Sequence, residues 1–371
     1  MKDFEELNIA IFSPNKNPYS ETFIQAHKLL LKGRVHYFYG KGDNIKNEDD
    51  KYKRNYLIFL LFKLYGKITN KGYSYARDRV LSNSMRKLKV DAILIEYGTH
   101  AHHLRNFLKN IKIPITVHFH GSDATVNKII EFSNNYEDVF GLSNKVIAVS
   151  KDMEKKLLNI GCPKNKLIYN VYGPRIEFEE INPKFSKKRF IAIGRFTNKK
   201  APYYLILSFM KVLDVHEDAE LHIAGNGVLF NTCTNLINYF GLQHSIKLIG
   251  VITPEQYQEY LSTSRAFVQH SITADNGDME GTPLAVLEAS VSGIPVISTF
   301  HAGITDVIIN KKTGLLSKEH DVDLMADNMI KVLSDLDYAK EMGAAGKNHI
   351  KNNFSMERHI TSLQEIIKST I

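Results

Sequence analysis

Short, uniformly apolar runs alternate along the chain with longer amphipathic stretches, and turn-forming residues separate them. IAIFS (9–13), AILIE (92–96), VIAVS (146–150) and FIAIG (190–194) show little alternation of apolar and polar positions. Such runs predict strands buried on both faces, as in parallel sheets. In the first half the pattern predicts strands over Leu7–Ser13, Val35–Tyr39, Asp91–Gly98, Ile115–His120, Lys145–Ser150 and Lys166–Val171. Between them it predicts helices over Glu21–Leu31 (capped by Ser20), 51–68, 73–88, His100–Lys109 and Asp152–Asn159.

Residues 174–188 (PRIEFEEINPKFSKK) carry two prolines and many charges and read as a linker. The apolar pattern restarts at Arg189. Strands follow over Phe190–Gly194, Glu220–Ala224, Ile246–Gly250, Ala266–Gln269 and Pro295–Thr299. Helices follow over Tyr203–Leu213, Val228–Phe240, Pro254–Leu261 and Leu284–Val291, then over about 322–333, 337–350 and 356–368. Thr253-Pro254 and Thr282-Pro283 read as cap-plus-proline helix starts. The expected architecture is two Rossmann-like, doubly wound α/β domains, about 1–175 and 182–350. Ligands in such sheets sit at the carboxyl ends of the strands, in a cleft.

Composition adds constraints more than identity. The 371 residues are 43% hydrophobic and 24% charged, ordinary for a globular protein. No apolar run reaches the roughly 20 residues of a membrane span, and the N-terminal stretch has no signal-peptide layout. Two cysteines, Cys162 and Cys233, imply no disulfide framework and point to a reducing cytoplasm. The net charge is +8, and residues 32–112 hold 18 basic against 7 acidic side chains. Within them KYKRNYLIFLLFKLYGKI (51–68) mixes lysine and arginine with leucine, phenylalanine and tyrosine. It fits a core helix or a helix lying on an anionic membrane surface. A nucleic-acid partner is not expected, since no interleaved aromatic–glycine motif accompanies the charge.

The stretch 266–304 is the richest in candidate chemistry. Its loop leads into a short apolar helix, and helix starts attract phosphate. Glu280 precedes the helix, and Glu288 lies in LAVLEASV, where an unpaired carboxylate would be costly. Glu288 is roughly 9 Å along the axis from Thr282, and the spread of the two carboxylates suits a long ligand with hydroxyls near both ends and an anion between. Arg195 and Lys200 follow the strand FIAIG, where a fork-shaped donor and a mobile ammonium suit a diphosphate. Gly225-Asn226-Gly227 is a tight turn open to a phosphate or a base, or simply a turn. His118 and His120 share one face of ITVHFHG and precede Asp123; a histidine at a strand end can bond a sugar or move a proton. His100, His102 and His103 match no standard metal spacing. There is no GxGxxG, P-loop or GxSxG.

GRFTNKK, AGNG and EGTPLAVLEASVSGIPVIST together resemble the retaining GT-B nucleotide-sugar glycosyltransferases of glycosyltransferase family 4. PYSETFI, HFHGSD and TFHAGI are similar to the branch serving biosynthesis of bacterial exopolysaccharide, capsule or lipopolysaccharide O-antigen. The resemblance implies transfer of a hexose from a nucleoside-diphosphate sugar to a lipid-linked or oligosaccharide acceptor, with retention and without a metal cofactor. It implies that Arg195 and Lys200 hold the diphosphate and that Glu280 contacts the donor sugar. Gly281, Thr282 and Leu284 would offer backbone N–H groups, with Asn226 nearby, and Glu288 would hold the ribose. His120 would lie on the reaction side of the cleft, with Ser20, Glu21 and Asp123 on the acceptor side. A final helix, 354–371, would cross back to the first domain, and the enzyme would sit on the inner face of the cell membrane. Ala201 stands where a glycine is common, and NVYGPR where Asn-Gly-Val-Asp is usual. An epimerase or phosphorylase on the same fold, a nucleic-acid-binding protein and a catalytically silent sugar-binding partner are the rival readings.

Overall fold

The computed structural model describes residues 3–16, 21–49, 56–72 and 74–371. Ser20, with its capping and acceptor-side expectations, lies outside the described residues, as do 51–55 of the basic segment. The chain divides into two compact units: unit 1 is Met1–Asn170 with His359–Ile371, and unit 2 is Val171–Arg358.

Unit 1 is built on seven strands: β1 (Asn8–Ser13), β2 (Arg34–Tyr39), β3 (Lys46–Asn47), β4 (Ala92–Glu96), β5 (Ile115–His118), β6 (Lys145–Ala148) and β7 (Leu167–Tyr169). Their order is β3-β2-β1-β4-β5-β6-β7. All pairs are parallel except the short β3, which runs antiparallel to β2. Helices cover the faces, so Ile9, Ile11, Phe12, Ile93, Leu94 and Ile95 are completely buried. Each such side chain contributes about 2 kcal/mol relative to exposure.

Unit 2 holds six parallel strands: β8 (Arg189–Ile193), β9 (Glu220–Ala224), β10 (Ile246–Gly250), β11 (Ala266–Val268), β12 (Val296–Thr299) and β13 (Gly314–Ser317). Their order is β10-β9-β8-β11-β12-β13. The chain winds outward from β8 through β9 to β10 and then resumes on the other side of β8 with β11. That reversal makes the β8/β11 boundary the topological switch point, where the flanking loops part and leave a crevice.

Three sequence expectations change. Residues 174–188 are no loose linker: Phe178 is fully buried, Ile181 and Phe185 nearly so, and the Lys184 and Lys187 N–H groups donate to Ser262 and Thr263 carbonyls. Proline and charge content there concealed three well-spaced apolar anchors. The helix after Glu280 runs Leu284–Ser292, with Pro283 at φ −67° and ψ 118° as its cap and no side-chain capping bond. Thr282 is therefore not the cap and Pro283 not the first helical residue. β13 and the short helices Ser122–Thr125, Asn127–Phe132 and Glu137–Leu142 are additions, each too short to show a clear period.

Candidate functional site

Four loops leave the carboxyl edge of the unit 2 sheet around the switch point. After β8, the chain passes Gly194 and Arg195 into a 3-10 turn, Asn198–Lys200. Ala201 then takes φ +36°, and helix Pro202–Leu213 begins with proline in its first turn. A left-handed φ costs a residue with a Cβ about 1 kcal/mol, which explains why glycine suits this position.

Lys200 reaches from this turn to the loop after β11. Its Nζ lies 3.2 Å from Glu280 Oε2 and donates to Gln269 Oε1 at 3.1 Å. Burial draws the Lys200 ammonium below its usual range even though Glu280 opposes the shift. Burial alone would raise Glu280, but Lys200 and then Lys199 outweigh it and hold the carboxyl below its usual range. The pair is thus an ammonium and a carboxylate, both largely out of water. Lys199 is a loop fastener rather than surface charge: buried, it binds Asp278 Oδ1 and the Met279 carbonyl, each at 3.0 Å. Arg195 is exposed at the same strand end.

His301, just past β12, holds Glu280 from the other side. Its Nε2 accepts the Glu280 N–H at 3.1 Å, so its proton sits on Nδ1, 2.6 Å from Glu319 Oε1. The Gly303 N–H donates to the Gly281 carbonyl at 3.0 Å, and a Cβ on Gly303 would lie 1.9 Å from that oxygen. Gly281 and Thr282 are buried in this crossing, and Leu284 opens the helix half-buried. Gln269, His301 and Glu319 were not among the residues singled out in the sequence. Nothing in local spacing marks them, since each acts across a loop.

Glu288 is buried and paired with Arg175, whose Nε donates to Oε1 at 2.7 Å. Burial raises the Glu288 carboxyl above its usual range although Arg175 pulls it down. The guanidinium is drawn down by burial and lifted more by Glu288, so it stays charged. Arg175 also stacks over Phe178 at 4.5 Å. Asn226 is exposed at the end of β9, and its Oδ1 accepts the Gly227 N–H at 2.7 Å. Gly225 has φ +129°, and a Cβ there would sit 1.9 Å from the Gly194 carbonyl. The glycine is therefore required by the close crossing of the β8 and β9 loops.

In unit 1 the candidates gather at the carboxyl edge of β4 and β5. His120 Nε2 lies 2.8 Å from Glu96 Oε2, and its ring packs on Phe23 and Tyr97 at 4.5 and 4.6 Å. Asp123 Oδ1 accepts the His120 and Gly121 N–H groups at 3.0 and 2.9 Å, and Oδ2 accepts Gly98 N–H at 2.9 Å. Its oxygens thus fix the loop that carries His120. Glu21 is half-buried and accepts from Asn15 Nδ2 at 3.0 Å.

The fold and the sequence have counterparts among known proteins. The fold is similar to that of Anabaena HepE, solved in complex with UDP-glucose, with a TM-score of 0.76 at 12% identity over 98% of this chain and 100% of HepE. The amylovoran biosynthesis glycosyltransferase AmsK of Erwinia amylovora is 27% identical over 299 residues, 78% of this chain and 72% of AmsK. WcaL of Escherichia coli strain K12, by its name a colanic acid biosynthesis glycosyltransferase, is 25% identical over 69% of this chain and 65% of WcaL. The chain thus spans about two thirds of the length of these curated relatives. Residues 175–349, which lie within unit 2, match the family model of glycosyl transferases group 1.

Proposed function

We propose that the protein transfers a hexose from a nucleoside-diphosphate sugar to a lipid-linked or oligosaccharide acceptor, with retention of anomeric configuration, in bacterial surface polysaccharide synthesis. The observation that carries this reading is the Lys200–Glu280 pair at the switch-point edge, 3.2 Å apart and shielded from water. When the bond between the anomeric carbon and the phosphate oxygen breaks, negative charge grows on the departing diphosphate. Lys200 and Arg195 are the cations at this edge to receive it, a form of electrostatic stabilisation strengthened by low local dielectric. Glu280, released from Lys200 by the phosphate, turns to the sugar hydroxyls. Gly281, Thr282 and Leu284 bring N–H groups toward the phosphates, with Asn226 beside them, and Glu288 takes the ribose hydroxyls. Because lysine and arginine meet the charge, this reading assigns no metal to the donor phosphates. His120 bonds the sugar or acceptor, Asp123 sets its loop, and Glu21 lies on the acceptor side. The names of AmsK and WcaL support the polysaccharide context, and the HepE complex supports a UDP-linked donor.

The test is a thermal-shift screen of UDP, GDP, UDP-glucose and GDP-mannose, followed by transfer assays with the donor selected. A selectively bound nucleotide raises the midpoint by mass action. Lys200→Ala and Glu280→Gln are each expected to lower turnover by about 100-fold or more with the fold retained. Near-normal turnover in both variants overturns the assignment.

A further inference from the structure

Unit 1 contains a buried polar cluster of which the proposed sugar transfer uses only His120. At its centre is Glu96, the last residue of β4, completely buried. His27 Nδ1 lies 2.7 Å from Oε1, His120 Nε2 lies 2.8 Å from Oε2, and His118 Nδ1 lies 3.7 Å from Oε2. His359, on the last helix, places its Nε2 2.9 Å from His27 Nε2. All four histidines are buried. Among the described residues, the ion-pair partners of Glu96 are histidines alone, and no lysine or arginine reaches it.

These hydrogen bonds can all form with every imidazole neutral. His359 donates to His27, His27 donates to one Glu96 oxygen, and His120 donates to the other. One full negative charge then remains on a carboxylate without solvent or cation, an arrangement that costs several kcal/mol. The cluster calls for a cation. A proton on a single imidazole needs only one partner, yet three ligand atoms converge here. His27, Glu96 and His118 each offer one, all within 4.8 Å of one another. The His27 and His118 rings stack at 5.2 Å with 22° between their planes. Two histidines and a glutamate form the ligand set of open zinc sites, with bonds of about 2.0–2.2 Å.

We propose that His27, Glu96 and His118 form a binding site for one divalent transition-metal ion of the zinc class, with His359 orienting His27. No proton need be lost on binding. The His27 proton moves from Nδ1 to Nε2 and is donated to His359 Nε2, whose own proton moves to Nδ1. That bond is the outer-shell contact that fixes a ligating imidazole. Glu96, His118 and His27 come from β4, β5 and helix Thr22–Leu30, so the ion would tie three elements of unit 1 together.

The test is titration of tag-free, metal-stripped full-length protein with Co2+, followed by visible absorption, and competition with Zn2+. Saturation at one equivalent, displacement by Zn2+, and loss of the band in Glu96→Gln and His118→Asn are expected. The band persists in His102→Ala/His103→Ala, which alters the histidine-rich helix Gly98–Leu108 of the same unit. Absence of a saturable band in the wild-type protein overturns the proposal whether or not the variants fold, and leaves a proton as the cation. A band unchanged in folded Glu96→Gln, or lost in the His102/His103 variant, also overturns it.

Discussion

Glu288 sits four residues into a helix that also buries Val286, Leu287 and Val291, and the Arg175 guanidinium lies 2.7 Å from its carboxyl. Removing one member of a buried pair leaves the other uncompensated, at about 3 kcal/mol or more. Arg175→Met is therefore expected to lower stability at neutral pH by about 3 kcal/mol, with most of the loss recovered in Arg175→Met/Glu288→Leu. Chemical denaturation of both variants checks this, and a single variant as stable as wild type would refute the coupling. The sequence showed that Glu288 needed a partner. It did not show which, because Arg175 lies 113 residues away in a stretch whose prolines and charges suggested a linker. The same distance effect hid His27 and His359, which meet across 332 residues. Lys199 was hidden for another reason: a lysine in NKK has the pattern of a solvated side chain until the loop carrying Asp278 folds over it.

Strands were more legible than side-chain partnerships, since a parallel sheet covered on both faces leaves an apolar run that needs no long-range knowledge. Helix boundaries were less so. Threonine before proline usually marks a first turn, but Pro283 remains extended because Gly281 is tied to Gly303. Helix Tyr56–Ile68 carries apolar residues all round. Phe59 faces inward at 5% exposure, whereas Leu61, Leu64 and Ile68 are 65%, 57% and 75% exposed, with Lys63, Lys67 and Lys71 exposed beside them. No helix among the described residues is long and apolar enough to cross a membrane. A helix with this pattern suits the plane of an anionic bilayer, and we propose such peripheral binding at the inner face of the cell membrane. The protein is expected to sediment with phosphatidylglycerol vesicles more than with phosphatidylcholine ones at low salt. Leu61→Ser/Leu64→Ser is expected to lose that binding, and equal partition onto both vesicle types would count against it.

Across the whole molecule, buried neutral histidines couple stability to acid. Burial lowers His270 in unit 2 to about 4 and His100 in unit 1 to about 3. Below the ordinary value of 6.5 the unfolded chain takes up protons that these folded sites refuse, so stability falls as pH drops from 6.5 toward 4. Each site contributes up to about 1.4 kcal/mol per pH unit in that window. The apparent Tm is expected to fall steeply between pH 6.5 and 4.5, and His270→Asn to flatten the slope; an unchanged slope would remove His270 from the account. The division into units has a consequence of another kind, for order of synthesis. Residues 359–371 belong to unit 1, with Leu363 and Ile367 in its core, yet all of unit 2 is made before them. At about 5–20 residues per second, the N-terminal unit waits on the ribosome for roughly 10–40 s with its last helix unmade. The unit begun first is thus finished last, and through that interval its core lacks Leu363 and Ile367.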